Sequence, residues 1–186
     1  MNKTTILTLV IVMVASAGVV AHHHLLHGSR SSSSQPLCHV RTEFEFTVHA
    51  PYKVAAPLFG PDGERAWASD NWNPHFLYPQ PAQDIEGAVF TVSRGAHSST
   101  WVNTAFDLNQ GHIQYVYFIP ETLVTRIDIH LSQPDVANTK VQVAYERTAL
   151  NAAANEHIRK AGDGDRNSGA EWSADIERCL AKRHRE

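Results

Sequence analysis

The sequence predicts an α+β domain in which one antiparallel sheet is covered on one face by helices near the carboxyl end. Between residues 41 and 147, segments that alternate apolar and polar residues are joined by short turns, the pattern of antiparallel strands with one wet face. After residue 148 the apolar spacing becomes that of an amphipathic helix. A chain of 186 residues is long enough for one sizeable core.

Six strands are predicted, and the first is the segment 41–49. There Phe44, Phe46 and Val48 alternate with polar residues. The other predicted strands are 87–94, 99–107, 112–120, 125–132 and 138–147. In 125–132 the alternation places Ile127, Ile129 and Leu131 inward and Arg126, Asp128 and His130 outward.

Helical patterns flank these strands. Two short helices are expected after the first strand, over 52–59 and 63–68, because Pro57 and Gly60-Pro61 prevent longer ones. Two longer helices are predicted over 148–160 and 171–182. The segment 162–169 between them is interpreted as a surface turn, because Ser168 and Ala174 stand where a calcium loop needs glycine and glutamate.

The amino terminus has the layout of an export signal. Lys3 precedes an apolar run over 6–21 that contains two small-x-small sites, so residues 1–21 are predicted to be a cleaved signal peptide. The expected location is periplasmic or extracellular. The alternative is an uncleaved membrane anchor over residues 6–21, the only membrane association expected. Residues 22–39 are predicted to be a disordered linker, and 40–183 the folded domain.

The amino-terminal histidines and the two cysteines each allow two interpretations. His22, His23, His24 and His27 could bind a transition metal, but a solvated linker is the other interpretation. Cys38 and Cys179 could pair in an exported protein, although Cys179 also fits a buried free thiol. The net charge of -3, without a basic block in the domain, gives no indication of nucleic-acid binding.

One stretch, 63–79, is unusually rich in aromatic residues. Trp67, Trp72, Phe76 and Tyr78 surround a polar break and are followed by proline. Aromatic density of this kind between a helical and a strand pattern is typical of a cavity wall.

The order of elements resembles the helix-grip arrangement of the START-like, or SRPBCC, superfamily, which includes polyketide cyclases, lipid-transfer domains and pollen-allergen-like proteins. The segments 54–67 and 72–79 are similar to the pattern before and along the cavity in small bacterial members. The segments 143–150 and 171–180 are similar to the last strand and closing helix. The resemblance covers about residues 40–182. It implies a curved antiparallel sheet wrapped around a carboxy-terminal helix, with a pocket between them.

The resemblance implies binding of a small hydrophobic ligand, such as a lipid or an aromatic, polyketide-like compound. The alternatives are a cyclase or dehydrase acting on a polyketide-like substrate, and an interaction module with a filled core. No catalytic residue, metal ligand or cofactor is predicted for the domain, since no known catalytic or metal-binding motif is present. The predicted ligand-binding residues are Trp67, Trp72, His75, Phe76, Tyr78, Phe90, Trp101, Tyr115 and Tyr117. If the stretch 63–79 forms a cavity wall, replacing Trp72 or His75 by alanine is expected to weaken ligand uptake with little loss of folding.

Overall fold

The computed structural model describes residues 35–95, 97–183 and 185, which contain one seven-stranded sheet. In chain order the strands are β1 (His39–Val48), β2 (His75–Tyr78), β3 (Val89–Arg94), β4 (His97–Asp107), β5 (His112–Ile119), β6 (Leu123–Asp135) and β7 (Asn138–Ala149). The sheet is curved and antiparallel throughout, with the order β1-β7-β6-β5-β4-β3-β2. Because β1 pairs with β7, the first and last strands lie side by side.

Six of these strands were predicted, with ends that differ by a few residues, and β2 was missed. β2 has four residues, and Phe76 is its single buried side chain. A strand with one inward position shows no alternation in the sequence. It is recognisable only from its pairing with β3, in which Phe76 lies opposite Phe90.

Short helical turns follow β1, as predicted. Helix α1 (Tyr52–Ala55) continues into a 3-10 helix over Ala56–Phe59, and a second 3-10 helix covers Gly63–Ala66. Pro57 lies in the first turn of the first 3-10 helix, where its missing N–H costs nothing. These turns place Leu58 and Phe59 in the core.

Two helices follow the sheet, α2 (Asn155–Asp165) and α3 (Ser168–Arg183), after a 3-10 turn over Ala152–Ala154. The prediction of a helix from residue 148 was wrong at its start. Residues up to Ala149 continue β7, and Leu150, which lies within the predicted helix, is 44% exposed. Both helices otherwise cover the inner face of the sheet, α2 at β1 and β7 and α3 mainly at β1.

The surface turn predicted for 162–169 was also wrong. Most of that segment is helical, since α2 runs to Asp165 and α3 begins at Ser168. Gly162 is required by packing, because a Cβ there would lie 2.6 Å from Val40 Cγ1. A glycine in this helix therefore marks close approach to β1 and does not mark a loop.

The core lies between the inner sheet face and these helices. Ile127, Ile129 and Leu131 are buried, as their alternation predicted, and pack with Ile176 and Leu180 of α3. The two cysteines are free thiols. Cys179 belongs to this core, whereas Cys38 packs beside a smaller cluster under α2.

The predicted signal peptide and most of the linker lie outside the described residues. Within the described part of the chain, no helix has the length and apolar character needed to cross a membrane.

Candidate functional site

A cavity lies between the inner face of the sheet and helices α2 and α3. It has two adjoining chambers of about 530 and 340 Å³. The chambers share five lining residues: Arg94, Trp101, Ile127, Tyr145 and Arg147. The combined space falls in the range of small-molecule sites, which are commonly about 300–1,000 Å³.

Each chamber has its own walls besides the shared residues. The larger chamber is closed by α2 at His157 and Ala161 and reaches Tyr117 and Leu123 on the sheet. The smaller chamber lies against the first 3-10 turns and α3. Its further lining residues are Glu64, Trp67, Ala68, Ser69, Trp72, Tyr115, Ile129, Asp165, Glu171, Trp172 and Asp175.

A row of stacked aromatic side chains crosses the inner face of four neighbouring strands. Ring centroids are 5.5 Å apart for Phe76 and Phe90, 5.7 Å for Phe90 and Trp101, and 4.1 Å for Trp101 and Tyr117. Each pair is a direct cross-strand pair in the sheet register. Offset aromatic stacking of this kind stabilises the sheet beyond simple burial.

The structure brings five of the nine predicted ligand-binding residues to the cavity. Trp67, Trp72 and Tyr115 line the smaller chamber, Tyr117 lines the larger, and Trp101 lines both. Lining a cavity does not itself demonstrate ligand contact, so their role in binding stays a prediction.

The other four predicted residues are not brought to the cavity. Phe90 and Phe76 are buried in the aromatic row. His75 is exposed because it alternates with the inward Phe76. The same alternation would place Tyr78 inward, two residues after Phe76. The pairing register of β2 with β3 shifts between these two residues, however, and the Tyr78 side chain is 58% exposed.

Glu64 is a cavity residue that sequence reasoning missed. It lies in the 3-10 helix Gly63–Ala66, whose start is fixed by Asp84. That carboxylate accepts backbone hydrogen bonds from Asp62 N at 2.8 Å and from Gly63 N at 3.0 Å. Gly60 leaves room for it, since a Cβ there would overlap the Asp84 side chain. This packing turns Glu64 inward, where it is 7% exposed.

Burial raises the pKa of Glu64 well above the ordinary glutamate value, and the neighbouring Asp84 raises it further. The nearby Tyr115 hydroxyl opposes this shift in part. Burial also raises the pKa of Tyr115, whose hydroxyl donates to Phe59 O. The smaller chamber therefore contains a carboxyl group and a phenol, and burial favours the neutral form of both.

A buried ion pair forms another part of the wall. Arg147 Nη1 of β7 donates to Asp165 Oδ2 of α2, and the two side chains are only 9% and 10% exposed. Thr42 Oγ1 donates to the same oxygen at 2.9 Å. The guanidinium also lies over the Tyr145 ring, 4.3 Å from its centroid, in a cation–π contact.

This ion pair was missed because residue 165 was assigned to a surface turn. A signal was present in the sequence, since Ile158, Gly162 and Asp165 follow the spacing of one helical face, and all three are buried. Two other carboxylates of the sheet region, Glu86 and Asp107, do not line the cavity. Glu86 is exposed, and Asp107 Oδ1 accepts from Asn109 N and Gln110 N in a turn.

Comparison with known proteins identifies the fold. No family model matches the chain, and no curated protein matches it in sequence. Solved structures do match, with TM-scores above 0.5. The domain has the Bet v1-like helix-grip fold. The predicted fold class is thereby confirmed.

Three structures with this helix-grip fold illustrate the likeness. An uncharacterised protein from Rhizobium leguminosarum is 13% identical, with a TM-score of 0.56, covering 79% of this chain and 97% of that one. Norcoclaurine synthase from Thalictrum flavum, in complex with dopamine and hydroxybenzaldehyde, is 10% identical with a TM-score of 0.55, covering 80% and 89%. Ara h 8.0201 is 14% identical with a TM-score of 0.52, covering 77% and 99%. At these identities the likeness concerns the fold alone.

Proposed function

We propose that the domain binds a small, largely apolar ligand with one polar end in the cavity under α2 and α3. The observation that carries this proposal is the pair of adjoining chambers with aromatic walls. Trp101 and Tyr145 face both chambers, and Trp172 closes the smaller one. Flat, rigid side chains give large contact areas at low entropic cost, which favours aromatic or extended apolar ligands.

The polar groups of the larger chamber suggest how such a ligand is oriented. Arg94, Ser98 and His157 are exposed residues at its rim, whereas Trp101 and Leu123 lie deeper and are buried. A ligand with an apolar body and an acidic or hydrogen-bonding end would place that end at Arg94. The two chambers favour this proposal over the predicted alternative of an interaction module with a filled core.

Filling the larger chamber tests this proposal. Ala161 of α2 lines it, so Ala161→Phe places a ring inside, and Ala170→Phe on the exposed face of α3 is the matched control. The probe is the fluorescent dye anilinonaphthalene sulfonate, which has an apolar body and one acidic group. We expect Ala161→Phe to weaken dye binding at least about tenfold while the control binds like the wild type.

Native mass spectrometry of the protein purified from its own host is the complementary measurement. A co-purified compound that is absent from Ala161→Phe supports the proposal. Equal dye affinity in both variants, with no co-purified compound, would overturn it.

Acid–base catalysis is a second candidate function, favoured by Glu64, which lines the smaller chamber with Tyr115 and whose pKa is raised by burial. A carboxylic acid that keeps its proton near pH 7 can donate it to a leaving hydroxyl or to a carbonyl oxygen. This is the chemistry of the predicted cyclase or dehydrase. Glu64→Gln keeps the shape and the hydrogen-bonding capacity but removes the transferable proton.

The mass of the co-purified compound tests this candidate. If the wild type dehydrates its ligand, Glu64→Gln is expected to retain a compound heavier by one water. The same compound in both proteins, at equal occupancy, would show binding without this reaction.

We also propose that the domain functions outside the cytoplasm. The support is the sequence pattern of residues 1–21, which lie outside the described part. Fractionation with amino-terminal sequencing of the mature protein tests this, and cleavage after Ala17 or Ala21 is the expected result.

A further inference from the structure

The outer face of the sheet carries a cluster of two histidines and one aspartate, on the side opposite the cavity. His112 of β5 and His130 of β6 form a direct cross-strand pair, and Asp128 precedes His130 by two residues on the same face. Nε2 of His112 lies 2.8 Å from Asp128 Oδ1, and Nε2 of His130 lies 3.5 Å from the same oxygen. All three ligand atoms lie within 4.8 Å of one another.

The two imidazole rings are held parallel, with centroids 4.8 Å apart and an interplanar angle of 6°. Both rings direct Nε2 at the same carboxylate. Two imidazolium ions stacked in this way would repel each other, whereas two neutral rings can share one cation. Neutral imidazole and carboxylate are the donor types that Zn²⁺ and similar divalent transition metals prefer.

Asp128 is positioned by a chain of hydrogen bonds across the sheet. Gln114 Nε2 donates to Asp128 Oδ2 at 3.0 Å, and Thr104 Oγ1 donates to Gln114 Oε1 at 2.8 Å. These hydrogen bonds occupy Oδ2 of Asp128 and leave its Oδ1 directed at the two histidines. Outer hydrogen bonds of this kind fix ligating carboxylates in known metal sites.

We propose that His112, Asp128 and His130 form a site for a divalent transition-metal ion of the Zn²⁺ class. Donor atoms around such an ion are separated by roughly 3 to 3.4 Å, given metal–ligand distances of about 2.0–2.2 Å. The two histidine–aspartate distances are already close to this. The side chains of His112 and His130 are 34% and 60% exposed, so they have room to adjust.

Three protein ligands leave at least one coordination position open. A groove of about 320 Å³ lies beside the cluster on the same outer face, and Asp128 and His130 form part of its wall. Water or a small donor ligand in that groove would complete the coordination. The site is independent of the cavity and of the function proposed for it.

The test is Zn²⁺ titration by calorimetry on the full chain. Every protein tested carries alanine in place of four amino-terminal histidines, His22, His23, His24 and His27, so that these do not bind Zn²⁺. The protein with only these four replacements is called the tail variant. We expect the tail variant to bind one Zn²⁺ per chain. Adding His112→Asn, Asp128→Asn or His130→Asn is expected to weaken binding at least about tenfold.

Two further substitutions separate a specific site from general surface affinity. His49 also contacts a carboxylate, with Nδ1 3.0 Å from Glu177 Oε1, but among the described residues it belongs to no cluster of three potential metal ligands. His49→Asn is therefore the control and is expected to leave Zn²⁺ affinity unchanged. Gln114→Leu, which alters only the positioning of Asp128, is expected to weaken binding about tenfold.

A readout that needs no substitution at the site is the paramagnetic effect of Cu²⁺ on backbone amide signals of the tail variant. Broadening centred on β5 and β6 is expected. Absence of stoichiometric Zn²⁺ binding, or equal Zn²⁺ affinity after His112→Asn and His49→Asn, would overturn the proposal. Broadening spread over all exposed histidines would do the same.

Discussion

Arg147 of β7 and Asp165 of α2 form a buried ion pair that joins the sheet to its helical cover. Thr42 of β1 donates to the same carboxylate, so β1, β7 and α2 meet at this oxygen. Arg147 also faces both chambers of the cavity. The position of α2, and with it the shape of the chambers, therefore depends on this pair.

Removing one member of this pair should destabilise the domain strongly. Arg147→Met leaves Asp165 with Thr42 alone, and Asp165→Leu leaves a buried guanidinium without its counter-ion. We expect each to lower the free energy of unfolding by about 3 kcal/mol, measured by urea denaturation.

The double variant Arg147→Met with Asp165→Leu provides the control for that prediction. Replacing both charges by apolar groups removes the uncompensated charge, so the loss should be clearly smaller than the sum of the two single losses. Strict additivity in this double-mutant cycle would show that the two side chains do not interact.

The buried Glu64 should make the domain less stable as the pH rises. Its pKa is raised in the folded state, so the native protein binds this proton more tightly than the unfolded chain does. The stabilisation is complete below the ordinary value of 4.5 and is lost as the pH rises toward the raised native value. Within that window the free energy of unfolding falls by about 1.4 kcal/mol per pH unit from this group.

Glu64→Gln removes this contribution. Urea denaturation of both proteins at a series of pH values upward from 4.5, the ordinary glutamate value, is the measurement. The stability of Glu64→Gln relative to wild type should increase steadily with pH. Asp84, whose pKa is also raised by burial, is present in both proteins. Parallel profiles would show that Glu64 is not protonated in the native state.

The sequence was sufficient to predict the fold because period-two alternation and helical spacing are local signals. Ile127, Ile129 and Leu131 follow such a pattern. The polar part of the site was not predictable in this way. Glu64 faces inward only because Asp84, distant in sequence, fixes the turn before it, and Arg147 meets Asp165 only after α2 packs on the sheet. Tertiary contacts, not local patterns, determine where these charges lie.

Trp72 and His75 should respond differently to alanine, although the sequence predicted the same effect for both. Trp72 is buried, its Nε1 donates to Pro61 O at 2.9 Å, and its ring meets Trp101 edge to face at 5.2 Å. Trp72→Ala should therefore cost about 3–5 kcal/mol of unfolding free energy as well as weaken uptake of the dye. His75→Ala should change neither, because its side chain is exposed outside the cavity.

Trp72→Phe separates the two roles of this tryptophan. The ring is kept, so the loss of stability should be smaller than for alanine, while the hydrogen bond to Pro61 O is removed. Chemical denaturation and dye titration of the three variants give both quantities. A dye affinity that falls in His75→Ala as far as in Trp72→Ala would contradict the placement of His75.

Gly162 and Gly164 of α2 should give opposite responses to alanine. Gly164 has no atom within 4 Å of an added Cβ, so Gly164→Ala should gain helix propensity and stabilise the domain by about 0.5–1 kcal/mol. At Gly162 the new Cβ would lie 2.6 Å from Val40 Cγ1. Val40 is β-branched and sits in a paired strand, so it cannot rotate away without disturbing β1.

For Gly162→Ala we expect the steric cost to exceed the same propensity gain, with a net loss of about 1 kcal/mol in unfolding free energy. Because the two positions are one helical half-turn apart, helix propensity and unfolded-state effects are nearly equal in the two variants. Their difference in urea midpoint thus reports the contact of α2 with β1. Stabilisation by both substitutions would mean that α2 packs less closely on β1 than the structure shows.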